Sequence, residues 1–530
     1  MTDSAVSETA NSSLLERASA RKTAVTGTAS LCAISALAIL IHLPGMARYG
    51  FFRDELYYIA CSEHLAWGYV DQPPLIALIA WISRHGFGNS LAAFRVFPAL
   101  AAAVTVFLTG WLAVELGGGR LAQFVAALAI LFAPLNLAFD SILTMNAFEP
   151  VFWLACACIA ARIANRGPAK LWLLFGAIAG VGLENKHTMA VFGFAVVAGF
   201  SLSGDMRPFR SRWIWIGGLI ALSIALPNLL WEAHHGWPQI EVVRNAQLFK
   251  NVRIGPLRFL AEQVLFYQPV TLPLWLGGLV WLFFAGDAKP FRFLGWAYVI
   301  VLAIFMVGDG KTYYPMGAYP MLMAAGGVAF QGFTGSHARA GRALRVAYPV
   351  VIAVAGLFTL PFGVPVLPVG AFLRYSNALP YSHGVKTERD STAQLPQNYA
   401  DMFGWKSIAA TVARVYYELP DADRANCAIL AGNYGEAGAI DYYGPALGLP
   451  KAIGGHNSYF YWGPRNYSGE CVILFGEGSR EFKDYFGDVR EVATVSNPLA
   501  MPSEQSLTIY LCRKPRAPLA ELWPHFKLII

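Results

Sequence analysis

The chain reads as a polytopic α-helical membrane protein that ends in a soluble α/β domain, and three observations lead there. It has 530 residues, of which 56% are hydrophobic and only 14% charged, whereas a soluble domain carries about 25% charge. Its apolar residues collect in eleven long runs, near residues 25–47, 91–114, 121–138, 147–164, 171–184, 188–203, 213–231, 260–285, 292–307, 316–332 and 346–367. After about residue 368 the pattern changes to short β-type runs, such as Cys471-Val472-Ile473-Leu474-Phe475, set between helical and Gly-rich stretches.

Residues 1–24 are polar and hold Arg17, Arg21 and Lys22 ahead of the first run. That run is too long for a cleaved signal peptide, so it reads as a retained signal anchor behind a cytoplasmic tail. Residues 25–367 form the membrane domain. Several runs fall short of the roughly 20 residues a bilayer asks for, and eleven to thirteen spans are expected. Basic residues mark alternate short loops: Arg162, Arg166 and Lys170; Arg207, Arg210 and Arg212; Lys289 and Arg292; Arg339, Arg342 and Arg345. With these loops cytoplasmic, the N-terminus lies inside. The opposite face gathers acids, histidines, lysines and tyrosines, which makes it the working side. An odd number of spans puts residues 368–530 on that side as a soluble α/β domain.

The net charge of +7 is spread between apolar runs, so nucleic acid is excluded as a partner and the bilayer takes its place. Cys32, Cys156 and Cys158 lie in apolar runs as inert core residues. Cys427, Cys471 and Cys512 allow one disulfide if the C-terminal domain meets an oxidising compartment. The adjacent His234 and His235 are a poor metal pair, because neighbours in sequence rarely ligate one ion.

The first outer loop, residues 48–90, carries the chemistry. Asp54 and Glu55 stand side by side at the mouth of a span, and an ionisable group close to hydrocarbon marks a functional site by default. Residues 55–67 are expected to form an interfacial helix with Leu56, Ile59, Ala60 and Trp67 on one face. Pro73 and Pro74 then break the chain before a second short helix, residues 75–82.

The runs FFRDELYYIA (residues 51–60) and GYVDQPPL (68–75) resemble the start of polyprenyl-phosphate-sugar-dependent glycosyltransferases of the GT-C fold. The resemblance is to bacterial members of glycosyltransferase family 39, relatives of protein O-mannosyltransferases and of the lipid A aminoarabinose transferases. It continues in KTYYPMGAYPMLMAAGG (311–327), NYGEAGAI (433–440) and GHNSYFYWGP (455–464). What it implies is an inverting transfer of a sugar from a polyprenyl-phosphate carrier to a glycan, lipid or protein acceptor, at the outer face of the bacterial cytoplasmic membrane. Asp54 would be the base that takes the acceptor's proton, with Glu55 orienting it or binding sugar hydroxyls. Adjacent residues at a helix start point in different directions, so one base and one helper is the assignment. The lipid phosphate leaving group would need cations. Lys311, Lys186 and Arg53 are the candidates, with Tyr313 and Tyr314 beside the first.

Two departures from the relatives stand out. Where aminoarabinose transferases carry an acid-lysine-proline run, this chain has Asp71-Gln72-Pro73, which moves the phosphate role towards Lys311 and Lys186. Where relatives often place an acid at the start of the fourth span, this chain has Asn146; Glu149, one turn on, and Asp140 are the substitutes. Asp71, Asp140, Asn146 and Glu149 therefore join the sugar or acceptor site. In the C-terminal domain, Asn433, Glu436, His456, Asn457 and Trp462 suit sugar recognition by stacking and hydrogen bonding. No cofactor is fixed by the resemblance; divalent cation use divides the family. The rival reading is a polytopic transporter or lipid flippase, which would need charge deep within its spans.

Overall fold

The computed structural model describes residues 27–379, 393–476 and 479–530; the expected cytoplasmic tail, 1–24, lies outside them. Among the described residues, each of the eleven apolar runs contains helix. Six helices among the described residues are long and apolar enough to cross a membrane: α1 (Gly27–Gly45), α4 (Leu91–Glu115), α6 (Met145–Ala164), α9 (Arg212–His234), α12 (within Lys289–Val307) and α14 (within Arg339–Gly363). The pair α10 (Pro256–Phe266) and α11 (Leu272–Phe284) is bent by 93° and brings the number to seven when it is counted as one broken span. The remaining runs form shorter or less apolar helices: α5 (Arg120–Leu131), α7 (Leu171–Asn185), α8 (Thr188–Leu202) and α13 (Tyr319–Ser336). By length alone the count is thus smaller than the eleven to thirteen expected. Proline and polar breaks end the runs early: α5 stops before Ala133-Pro134, since the residue ahead of a proline is pushed out of helical conformation.

The membrane helices pack through small residues. A Cβ added to Gly176 of α7 would strike the Gly217 carbonyl of α9, so these two helices cross backbone to backbone. Between α1 and α4 the outer loop folds into α2 (Arg53–Glu63) and α3 (Leu75–Gly86).

The C-terminal domain is built on a five-stranded sheet in the order β2-β1-β3-β5-β4. Its strands are β1 (Ala428–Ala431), β2 (Ile453–Gly454), β3 (Cys471–Phe475), β4 (Phe486–Ser496) and β5 (Ser506–Pro515). β1 runs parallel to β2 and β3, whereas β5 is antiparallel to β3 and β4. The expected strands at 427–430, 471–475 and 507–511 match β1, β3 and β5. Cys427 and Cys471 form a disulfide at the foot of the parallel pair, and Cys512 remains a free, buried thiol.

Strand alternation divides the domain's core in two. Ile429, Ala431, Ile473, Phe475 and Ile509 face one side. Ala428, Leu430, Val472, Leu474 and Cys512 face the other. The first side is covered by helices α15 (Trp405–Glu418) and α16 (Tyr434–Tyr443), and beyond them by the outer loop itself. Leu56, Tyr57, Ile59, Ala60, Tyr69, Ile76 and Ala80 belong to the same buried cluster as the sheet. The expected interfacial face of α2 is therefore turned to protein, and Trp67 lies beyond the helix end, exposed. At the crossing of α2 and α16 a Cβ on Gly438 would lie 2.9 Å from the Leu56 carbonyl carbon, so glycine sets how closely the helices approach.

Candidate functional site

The start of α2 decides where Asp54 and Glu55 point. Glu55 turns inward and is fully buried. Its Oε2 accepts from the Phe52 N–H at 2.8 Å, capping the helix. Its Oε1 accepts from the Leu143 N–H at 2.8 Å. Arg95 of α4, itself buried, grips both oxygens at 3.0 and 2.8 Å and also donates to the Gly50 carbonyl at 2.7 Å. All of this carboxylate's capacity is spent on scaffold, so Glu55 is a structural anchor here and not the expected sugar-binding helper.

Asp54, one residue earlier, faces the other way. Tyr434, the first residue of α16, donates its hydroxyl to Asp54 Oδ1 at 2.9 Å. Asp71, which follows the loop's turn, accepts from the Tyr57 hydroxyl at 2.9 Å. Tyr57 Oη in turn lies 2.7 Å from Ser458 Oγ, at the head of α17 (Ser458–Trp462). The rings of Tyr57 and Tyr434 stand 4.7 Å apart, and Tyr434 is 4.7 Å from His456. Two carboxylates from the outer loop are thereby each held by a tyrosine, at the seam with the C-terminal domain.

Their electrostatics follow from that setting. Burial pushes the Asp71 carboxyl up to about 6, and the nearby Asp54 charge adds to the rise, against the Tyr57 hydrogen bond and the charge of Lys250. Burial raises Tyr58 well above its usual range, with Asp54 and Asp71 contributing and Tyr313 within reach. Burial holds His456 down to about 3, with Lys250 again contributing, so the ring is neutral. Its Nδ1 accepts from the Tyr434 N–H at 3.4 Å.

A second cluster sits at the ends of α6 and α7. Lys186 donates to Asn146 Oδ1 and to Glu149 Oε2, each at 2.8 Å, and Thr188 donates to the other Glu149 oxygen. The Lys186 ammonium lies 4.9 Å from the Tyr314 ring and 6.0 Å from that of Tyr313. Lys311 stands 5.8 Å from the Tyr313 ring. Five of the expected residues, Asn146, Glu149, Lys186, Tyr313 and Tyr314, are thus together, with Lys311 at the edge. Asp140 is buried, and no hydrogen bond or ion pair among the described residues joins it to this cluster.

Other expected residues have structural work instead. Arg53 forms ion pairs with Asp401 at 2.9 Å and Glu504 at 2.8 Å, so its charge latches α2 to the C-terminal domain and is not offered to a phosphate. Asn433 and Glu436 cap α16 reciprocally, each accepting the other's N–H at 2.9 Å. Asn457 is fully buried and pairs with the backbone of Ile530, donating to its carbonyl at 3.3 Å and accepting its N–H at 3.1 Å. Trp462 stacks on His64 at 4.3 Å. Gln72 points inward to Cys61 Sγ at 3.6 Å. Sequence reasoning missed Arg95, Tyr57, Tyr58 and Tyr434. Tyr57 and Tyr58 sit in the FFRDELYYIA run, and Tyr434 in NYGEAGAI, so the signal lay in the quoted motifs, read there for acids and amides alone.

Residues 71–231 match the family model described as dolichyl-phosphate-mannose-protein mannosyltransferase. The chain is 26% identical over 227 residues to the lipid A galacturonosyltransferase RgtD of Rhizobium johnstonii, a match that covers 40% of this chain. It spans 46%, about half, of that relative's length. Among solved structures, ArnT from Cupriavidus metallidurans bound to undecaprenyl phosphate superposes with a TM-score of 0.61 at 14% identity, covering 91% of this chain and 98% of that one. The apo state of the same protein gives 0.57, also at 14% identity, over 92% and 98% of the two chains.

Proposed function

We propose, from the premise that this chain has the GT-C fold and resembles the family 39 glycosyltransferases, that it moves a sugar from a polyprenyl-phosphate carrier to a hydroxyl-bearing acceptor, working on the outer face of the membrane. The observation that carries the reading is the Asp54 carboxylate of the outer loop, half-buried and held by the Tyr434 hydroxyl of the C-terminal domain.

In this mechanism Asp54 takes the proton of the acceptor hydroxyl as its oxygen attacks the anomeric carbon. The new C–O bond forms while the bond to the lipid phosphate breaks, and the configuration inverts. Tyr434 orients the base. Asp71, held by Tyr57, lies where the sugar's hydroxyls would find an acceptor. The departing phosphate gains negative charge, and preorganised cations lower the cost of that change. Lys311, Lys186 and Lys250 are the cations in reach; Lys186 starts paired with Glu149 and would trade part of that pairing for the phosphate. Should a divalent cation assist, Asp54 and Asp71 would hold it with oxygens alone, as Mg²⁺ prefers. Among the described residues no group of three His, Cys, Asp or Glu gathers to ligate one.

The test compares lipid-linked sugars in membranes from cells making the wild-type chain or Asp54→Asn at equal level. Mass spectrometry should find a polyprenyl-phosphate sugar accumulating in the variant. Identical lipid profiles, with a null strain differing from both, would move the base elsewhere. No difference even in the null strain would favour a transporter.

A further inference from the structure

The turn that carries His456 is held by a distant segment, Lys527–Ile530, which the mechanism does not use. Leu528 pairs in parallel with His456. Its N–H donates to the Gly455 carbonyl at 2.9 Å, and its carbonyl accepts from the Asn457 N–H at 2.9 Å. The approach is close: a Cβ on Gly455 would strike the Phe526 carbonyl, so glycine is what admits the segment here. Asn457, fully buried, grips the N–H and the carbonyl of Ile530 with the two ends of its amide. Its φ of 49° is a left-handed conformation that asparagine tolerates better than most residues.

The contacts of this turn lead to the base. His456 accepts the Tyr434 N–H on Nδ1 at 3.4 Å, so its own proton sits on Nε2, which faces the Ile530 carbonyl at 3.5 Å. The second contact thus favours the tautomer that the first one needs. The rings of His456 and Tyr434 pack 4.7 Å apart, and Tyr434 opens α16 with its hydroxyl on Asp54. On its far side the segment is tied to another outer stretch. Lys527 is paired with Glu241 at 2.7 Å, and Asn245 donates to the Ile529 carbonyl at 2.6 Å. Glu241 and Asn245 both stand on the helix Pro238–Asn245, which follows α9.

We propose that Lys527–Ile530 is a positioning strap: stretched between the helix Pro238–Asn245 and the 455–457 turn, it holds His456 in the orientation and tautomer that aim Tyr434 at Asp54. His456 and Asn457 are positioning residues that act through Tyr434 and touch no reacting atom. The proposal rests on the reading of Asp54 as the base and adds how that base is kept in line. An exposed ion pair such as Lys527–Glu241 contributes little alone; the buried amide of Asn457 is the firmer end.

The test uses the full chain in lipid nanodiscs. Hydrogen–deuterium exchange read by mass spectrometry needs no substrate. Asn457→Gly keeps the left-handed backbone and removes the grip on Ile530, and His456→Phe keeps a ring and loses both bonds. In each, the Tyr434 amide should exchange at least about tenfold faster while β1 and β3 keep wild-type rates. Lys527→Glu should speed the same amide about threefold, and Lys527→Glu with Glu241→Lys should restore it. Wild-type protection of Tyr434 in these single variants would overturn the strap, as would a uniform rise through β1 and β3 in both Asn457→Gly and His456→Phe. The second readout is turnover of the donor lipid that accumulates in Asp54→Asn membranes. Asn457→Gly should lower kcat at least about tenfold with the donor KM within about twofold. Unchanged kcat beside a loosened Tyr434 would overturn the positioning role. If no lipid accumulates in Asp54→Asn cells, the reading of Asp54 as the base falls, and exchange still shows whether the strap holds Tyr434.

Discussion

At the scale of single residues, the charge of Asp54 adds to the rise that burial gives the Asp71 carboxyl. Replacing the base should cost about 100- to 10,000-fold in kcat, so Asp54→Asn measured in nanodiscs with a purified donor should approach background. Asp71 offers a sharper test. Its carboxyl stands at about 6 in the folded chain against an ordinary 3.8, so the native state binds this proton more tightly than the unfolded one. Its contribution therefore favours folding below about pH 4 and is lost as pH rises to about 6. Asp71→Asn should raise the Tm at pH 7.5 and leave it nearly unchanged at pH 4. The same substitution removes a negative neighbour from Asp54, so the acid limb of kcat/KM should move to lower pH. A limb that stays in place would show that the two groups are not coupled in catalysis.

At the scale of elements, the outer loop is held by pairs that a sequence pattern does not disclose. Glu55 and Arg95 lie 40 residues apart, and both are almost wholly buried. Removing one partner strands the other's charge, at a cost of about 3–5 kcal/mol. Glu55→Gln should thus lower stability sharply in a thermal-unfolding assay, and Glu55→Leu with Arg95→Met should recover much of the loss. Unchanged stability with lost activity in Glu55→Gln would return Glu55 to the sugar site. The disulfide closes a loop of 44 residues and is expected to contribute about 2–4 kcal/mol, so Cys427→Ser with Cys471→Ser should unfold the domain earlier than wild type without reductant, and no earlier with it. Strands β1, β3 and β5 were legible because their runs are apolar. β4 was not, since it is the sheet's edge and mostly polar outward. Asn433 and Glu436 show the same limit: a capping box and a sugar-binding pair have one composition, and only the hydrogen bonds distinguish them.

At the scale of the whole molecule, the membrane class and the change of character near residue 368 followed from hydropathy and charge spacing, which are local properties. The site did not follow so directly, because its tyrosines and carboxylates come from distant segments. Lys186, Glu149 and Asn146 were each foreseen, yet their union was not, since it depends on how α6 and α7 pack. The same holds for Arg53, which looks like a phosphate ligand in the sequence and proves to be a latch. Loosening that latch should matter at a distance: Arg53→Gln leaves Asp401 and Glu504 buried without their cation, and is expected to reduce kcat at least tenfold with little effect on the donor's KM. A rise in donor KM with unchanged kcat would instead give Arg53 a direct hand on the phosphate.

The hydrogen bond from Tyr434 to Asp54 joins residues 380 positions apart. In time as well as space, then, the base is made before its partner. A ribosome delivers Asp54 to the membrane early, while Tyr434 and the sheet that buries the outer loop do not yet exist. A nascent or truncated chain has the acid but not the geometry. If Asp54 is the proposed base, activity waits on the synthesis of the segment that carries Tyr434.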